Sequence, residues 1–425
     1  MDEVRLPDRI RPSQRTEVSL AAVLRGSAAP YLSLLVVTVV AARFAQYLWP
    51  TQAVLKGQGA GIVVTFAGFV LALITWSLFR PESSWPNEFK VVVLAWGVLW
   101  GVSLGLSILH GDLFNVTAFL VPPILLMILM KKSSVTATFT AADVLAISLI
   151  VIAVSTQALD AAGIKLLANE GWNRWPLLAE IIGPIGRWQG PFGSVNYAGP
   201  AGTFLLVYGL LRPGWRRIVF VAAGAVIVFL SDSRSAMLAC AVGIVSLIAL
   251  APRLGRHRNP TWLRIAAPVS LAAACAAYIA VIDPTFNLRT PVWEAFLDRW
   301  GSSPVVGVGG TGIQELIDVG NLPAWANHGH NLLIDPLGRY GLLGAVAVAG
   351  VVVAVAVVAV KAARRQFQAP LVLLCTFIAA GISDALVDWR YLGLFALPLM
   401  LAAMLGGAWL DQTALKTGER TSLEA

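Results

Sequence analysis

The sequence predicts an all-α polytopic membrane protein, a bundle of about twelve transmembrane helices with a large outer loop. Three observations predict it. Hydrophobic residues make up 57% of the chain and charged residues 13%, where soluble domains carry about 25% charged residues. The mean hydropathy is +0.75, and the deficit of charge extends along the whole chain. The apolar runs are continuous rather than alternating, which is the pattern of spanning helices and not of barrel strands.

Each span needs roughly 20 apolar residues. Such runs begin near Pro30, Gly59, Phe89, Leu113, Phe139, Asn196, Ile218, Ser235, Leu263, Gly341, Pro370 and Leu392. The first follows a basic tail and reads as a signal anchor, not a cleavable signal peptide. The expected organisation is a cytoplasmic tail over 1–28, a single membrane domain over 29–410 and a cytoplasmic tail over 411–425. Both tails are polar and expected to be poorly ordered. Two long connections, about 160–195 and 283–340, interrupt the spans.

Charge supplies a direction. With the N-terminus inside, roughly two thirds of the 31 lysines and arginines fall in short cytoplasmic segments, as the positive-inside rule requires. Both long loops then face outward and both termini lie in the cytoplasm. The net charge of +8 is therefore a topology signal and not a sign of nucleic-acid binding.

Smaller features have structural readings. Gly97, Gly101 and Gly105 form a small-residue stripe suited to close helix packing. Cys240, Cys275 and Cys375 sit in apolar runs as buried thiols. Pro291–Trp300 has apolar residues at helical spacing and predicts a short amphipathic helix at the interface. GVGGTG at 307–312 reads as turns. It follows no predicted strand, so it is a poor dinucleotide site.

Charges at a membrane edge are costly and mark function. Arg187 lies in GRWQGPFGSVNYAG, just before the sixth span. Arg234 lies in SDSRSA, a tight outer turn, and Arg289 in NLRTPVW early in the second long loop. His328, His330 and Asn331 lie in ANHGHNLL, where the chain re-enters an apolar helix. Taken singly, each arginine could make a surface salt bridge or touch a lipid headgroup; Asp232 could pair with Arg234, and Asp283 with Arg289. His328 could be a second ligand or merely a neighbour. Together they place three guanidiniums and a titratable ring on the outer side. Arginine forks suit phosphate, and histidine suits general-base work near neutral pH. No cluster has metal-ligand spacing, and no nucleophile elbow is present.

The ordered set GRWQGPFGSVNYAG, SDSRSA, RTPVWEAFLDRWGSSPVVGVGGTG and HGHNLLIDPLGRYGLLG resembles the O-antigen ligase and O-antigen polymerase superfamily over about Gly186–Gly344. The resemblance implies a GT-C-like glycosyltransferase of the bacterial inner membrane. It would move a glycan from a polyprenyl-diphosphate carrier to an acceptor hydroxyl on the outer face, without cofactor or metal and with inversion. It implies that Arg234 and Arg289 hold the diphosphate and that His330 activates the acceptor. Arg187 would line the same cavity, and Asn196 and Asn331 would be structural or substrate-orienting. Ligase and polymerase chemistry both fit. A transporter or flippase for a glycan or lipid is the alternative class; it calls for charges at mid-membrane, where only Asp143 and Asp384 lie near or within spans. One departure is Asp335-Pro336, where an apolar helix is expected and Pro336 should break or kink it.

Overall fold

The computed structural model describes residues 87–111, 134–162, 188, 190, 195–250, 270, 289–323, 326, 328–382 and 396–417. These residues form ten helices and no strand. In chain order they are α1 (Asn87–Leu109), α2 (Val135–Ala161), α3 (Val195–Leu210), α4 (Trp215–Ser231), α5 (Arg234–Leu250), α6 (Arg289–Ser302), α7 (Gly309–Asp318), α8 (Ile334–Arg364), α9 (Ala369–Gly381) and α10 (Ala396–Thr417).

Eight of these answer to expected spans: α1 to α5, α8, α9 and α10. The spans expected near Pro30, Gly59 and Leu113, and all of that near Leu263 except Ser270, lie outside the described residues. Three helical stretches are long and apolar enough to cross a membrane: Glu88–Leu109, Val135–Ala158 and Ile334–Arg364. Among the described residues, exposed apolar side chains such as Leu94, Val154, Ile218 and Val353 project outward from these helices and from α4, as lipid-facing surfaces do.

The main core joins α1, α2, α3, α4, α5, α8, α9 and α10. α3 and α4 pack backbone to backbone: a Cβ on Gly202 would meet Val228 N at 2.9 Å, and one on Gly224 would run into Leu206 N. Small residues therefore do permit a close approach here. The expected stripe on α1 behaves differently, since no described residue lies within 4 Å of a Cβ on Gly101 or Gly105.

A buried ion network fastens α2 to the turn between α3 and α4. Arg212 Nη2 reaches Asp143 Oδ2 at 2.7 Å and Arg216 Nε the same oxygen at 3.5 Å. The fully buried Tyr208 donates its hydroxyl to Asp143 Oδ1 at 2.7 Å. Arg212 also lies over the Phe139 ring, 4.7 Å from its centroid. Asp143 is thus a satisfied structural carboxylate. Asp384 lies outside the described residues.

α10 continues to Thr417, beyond the position where a poorly ordered tail was expected. Trp409 explains the extension. Its ring stacks on Phe367 with centroids 4.8 Å apart, and Arg365 Nη1 donates to Thr413 Oγ1 at 2.8 Å. Cys240 and Cys375 are free thiols.

α8 corrects the expectation about Pro336. This proline stands in the first turn of the helix, where the missing N–H would have no intrahelical partner in any case. The helix passes through it unbroken. The kink comes at Gly341, with φ 61° and ψ −158°, where the span itself was expected to begin.

Candidate functional site

The second long loop is built as a small helical cap. α6 occupies Arg289–Ser302, close to the predicted amphipathic helix, and α7 begins at Gly309, inside the stretch expected to be turns. Val292, Phe296, Ile313, Leu322 and Ala326 form a second apolar core between them. Phe296 is seated against Gly338 of α8, where a Cβ would lie 2.6 Å from its ring.

The cap is locked to the kink. At Gly341 the helix loses its own backbone ladder. Leu342 N–H donates instead to Pro304 O at 2.9 Å, Leu343 N–H to Val305 O at 3.2 Å, and Val308 N–H to Gly338 O at 3.1 Å. Gly307 and Gly341 both hold positive φ, 69° and 61°. A Cβ on Gly307 would strike the Arg339 carbonyl, and one on Gly341 the Val305 carbonyl. The two glycines are what allows the backbones to interlock. His110, at the end of α1, closes the same turn: its Nε2 lies 3.2 Å from Val306 O.

Helix register sets the position of the remaining residues. α5 lies antiparallel to α9, because Gly243 abuts Thr376 while Ser246 bonds Cys375. From that crossing, Arg234 lies roughly 13 Å back along α5 and Gly381 roughly 8 Å on along α9, on the same side. α3 runs parallel to α5, with Thr203 Oγ1 donating to Ala236 O at 3.1 Å and Gly199 against Ser233. Asn196 is therefore about one turn beyond Gly199 at that same end. Trp188, beside Arg187, donates its backbone N–H to Leu230 O at 2.9 Å and its indole N–H to Gln157 at 3.1 Å. Arg187 itself lies outside the described residues.

The re-entry segment joins this end directly. Leu332 N–H donates to Gly381 O at 2.8 Å, and Asn331 Nδ2 donates to Ile382 O at 2.7 Å. Asn331 Oδ1 accepts from Leu333 N–H at 2.9 Å and Ile334 N–H at 3.1 Å. That is a helix cap, so the bonds of Asn331 are with backbone. α6 runs in the same direction as the start of α8, since Phe296 meets Gly338 and Pro304 meets Leu342. Arg289 and His330 each stand about two turns before that contact. The fold thus gathers Arg234, Asn196, Arg289 and His330 toward one end of the bundle.

The local chemistry differs among them. Arg234 is exposed and Arg289 is only 7% exposed. Each is the first residue of its helix, α5 or α6. A cation is disfavoured by the helix dipole there, whereas an anion is favoured. His330 is 5% exposed and holds φ 45°, a left-handed conformation that strains a residue with a side chain. Its ring packs on His328 with centroids 3.8 Å apart, and its N–H reaches His328 Nδ1 at 3.3 Å. Among the described residues no group of three or more metal-ligating side chains occurs.

A family model described as O-antigen ligase matches residues 218–349, just under a third of the chain. The match marks an O-antigen ligase-like domain over those residues. The domain contains Arg234, Arg289, His328, His330 and Asn331, while Arg187 and Asn196 precede it. It also contains the glycine interlock, so the GVGG and GLLG elements act as backbone contacts in the fold. No curated protein matches the chain. The match and the apolar helices together support a glycan-handling protein of the bacterial inner membrane. Two features were not foreseen: the interlock at Gly307 and Gly341, and a buried Asp335–Arg339 pair. The i,i+4 spacing of the pair was the available signal.

Proposed function

We propose that the protein transfers a glycan from a polyprenyl-diphosphate carrier to an acceptor hydroxyl at the outer face of the membrane. The observation that carries this reading is that Arg234 and Arg289 are the first residues of two helices that both begin toward one end of the bundle. An arginine there opposes the helix dipole on its own. With a diphosphate bound, guanidinium and helix N-terminus act on the same anion.

In this reading the bond from the anomeric carbon to the diphosphate oxygen breaks as the acceptor oxygen attacks from the opposite face. The leaving diphosphate gains charge, which Arg234 and Arg289 stabilise. Preorganised donors of this kind contribute about 3 kcal/mol each. His330 takes the acceptor proton. Displacement without a protein nucleophile inverts the anomeric carbon. The two arginines supply the positive charge that the leaving group needs, so the scheme calls for no metal or cofactor. Arg187 and Asn196 line the sugar side, with His328 against the His330 ring. Asn331 shapes the re-entry.

The proposed architecture is a bundle of about twelve spans over 29–410, with both tails, 1–28 and 411–425, in the cytoplasm. The donor then reaches the site laterally from the outer leaflet. Deleting the gene and sizing the surface glycans tests the reaction. Short unpolymerised units are expected for a polymerase, and full-length lipid-linked chains lacking their attachment for a ligase. A normal glycan profile would refute both.

A further inference from the structure

We infer that Asp335 and Arg339 are positioning residues for His330, an inference that rests on the transfer reaction proposed above. Arg339 is 3% exposed and Asp335 5%. Arg339 Nε donates to Asp335 Oδ1 at 3.0 Å, and the same oxygen accepts Gly329 N–H at 2.7 Å. Gly329 is pressed onto the first turn of α8, where a Cβ would lie 2.9 Å from Asp335 Cα and N. The loop is thus drawn down against the helix immediately before His330.

That bond matters because of the backbone that follows. His330 holds φ 45°, and such a rotation persists only where the surroundings over-determine it. The segment is fixed on its far side by Leu332 N–H to Gly381 O and by the Asn331 bonds to Ile382, Leu333 and Ile334. On its near side the Asp335 carboxylate holds Gly329. Release of Gly329 lets His330 return to negative φ, which turns the imidazole away from its stack on His328. Arg339 acts one step further back, holding the Asp335 carboxylate in the rotamer that reaches Gly329. A buried ion pair adds little stability compared with an apolar pair of the same shape. Its contribution here is geometric.

Two double variants separate the acceptor from the charge, and neither leaves a lone buried ion. Asp335→Asn with Arg339→Gln keeps an oxygen for Gly329 N–H. Asp335→Leu with Arg339→Met removes it. Each full-length protein is reconstituted with a polyprenyl-diphosphate glycan and acceptor, and kcat and KM are measured separately. His330 modification by diethyl pyrocarbonate is followed by mass spectrometry. The Asn/Gln pair is expected to turn over within about threefold of the parent. The Leu/Met pair is expected to lose about ten- to a hundredfold in kcat, with donor KM unchanged and His330 modified several-fold faster. Equal kcat and equal modification rates in the two pairs would overturn the inference, as would a rise in KM with kcat intact. A His330→Ala protein with parental turnover would instead refute the base assignment, and the modification rates alone would then decide whether Asp335 holds the loop.

Discussion

Arg234 and Arg289 are the residues most exposed to direct test, because each begins a helix where a cation alone is disfavoured. Alanine at either position is expected to lower single-turnover glycan release by about a hundredfold, or ~3 kcal/mol. Lysine should recover only part of this, since it keeps the charge and loses the fork. Full recovery by lysine would argue for a diffuse electrostatic role. Asn331 has a different signature. Its side chain caps α8 and bonds Ile382, so Asn331→Ala should cost about 1–2 kcal/mol of stability, read as a lower unfolding temperature in detergent.

At the scale of elements, the account depends on the joint between the cap and α8. Alanine at Gly341 is expected to cost about 1–3 kcal/mol through its positive φ alone, and more through the contact with the Val305 carbonyl. Gly350→Ala in the same helix is the control. No described residue lies within 4 Å of its Cβ, and its effect should stay within about 1 kcal/mol. Similar losses at Gly341 and Gly350 would contradict the interlock. This joint also shows what the sequence could reveal. Continuous apolar runs located eight of the ten described helices, and residue type singled out Arg234, Arg289 and His330 as candidates. The kink was misassigned to Pro336 because a first-turn proline has no hydrogen bond to lose. The interlock was hidden because Gly307 and Gly341 meet through backbone, far apart in sequence. The cap role of Asn331 was open for a similar reason: an asparagine after a histidine serves a ligand or a helix start equally well.

At the scale of the molecule, the two ends of the bundle have different chemistry. The Asp143–Arg212–Arg216–Tyr208 network lies at one end. Asp143→Ala is expected to cost about 1–3 kcal/mol by taking a shared acceptor from the half-buried Arg212 guanidinium and the buried Tyr208 hydroxyl, seen as lost folded protein on heating. Transfer by the protein that remains folded should be normal, and specific activity per folded molecule checks this. The proposed topology puts Gln314 outside and Arg216 inside. Single cysteines at these positions, in a chain lacking its native thiols, should label with an impermeant maleimide only from opposite faces. Labelling of both from one face would remove the basis for an outer-leaflet site.

The central claim is that a glycosidic bond forms as a lipid diphosphate departs. Purified protein in sealed vesicles, given polyprenyl-diphosphate glycan and acceptor, provides the most direct measurement: release of polyprenyl diphosphate together with new glycosidic bond. The account expects the two in equal amounts, with inverted anomeric configuration, and both lowered about a hundredfold or more in Arg234→Ala, Arg289→Ala and His330→Ala proteins that insert normally. Movement of the donor across the vesicle with no new bond, or normal product from all three variants, would contradict it.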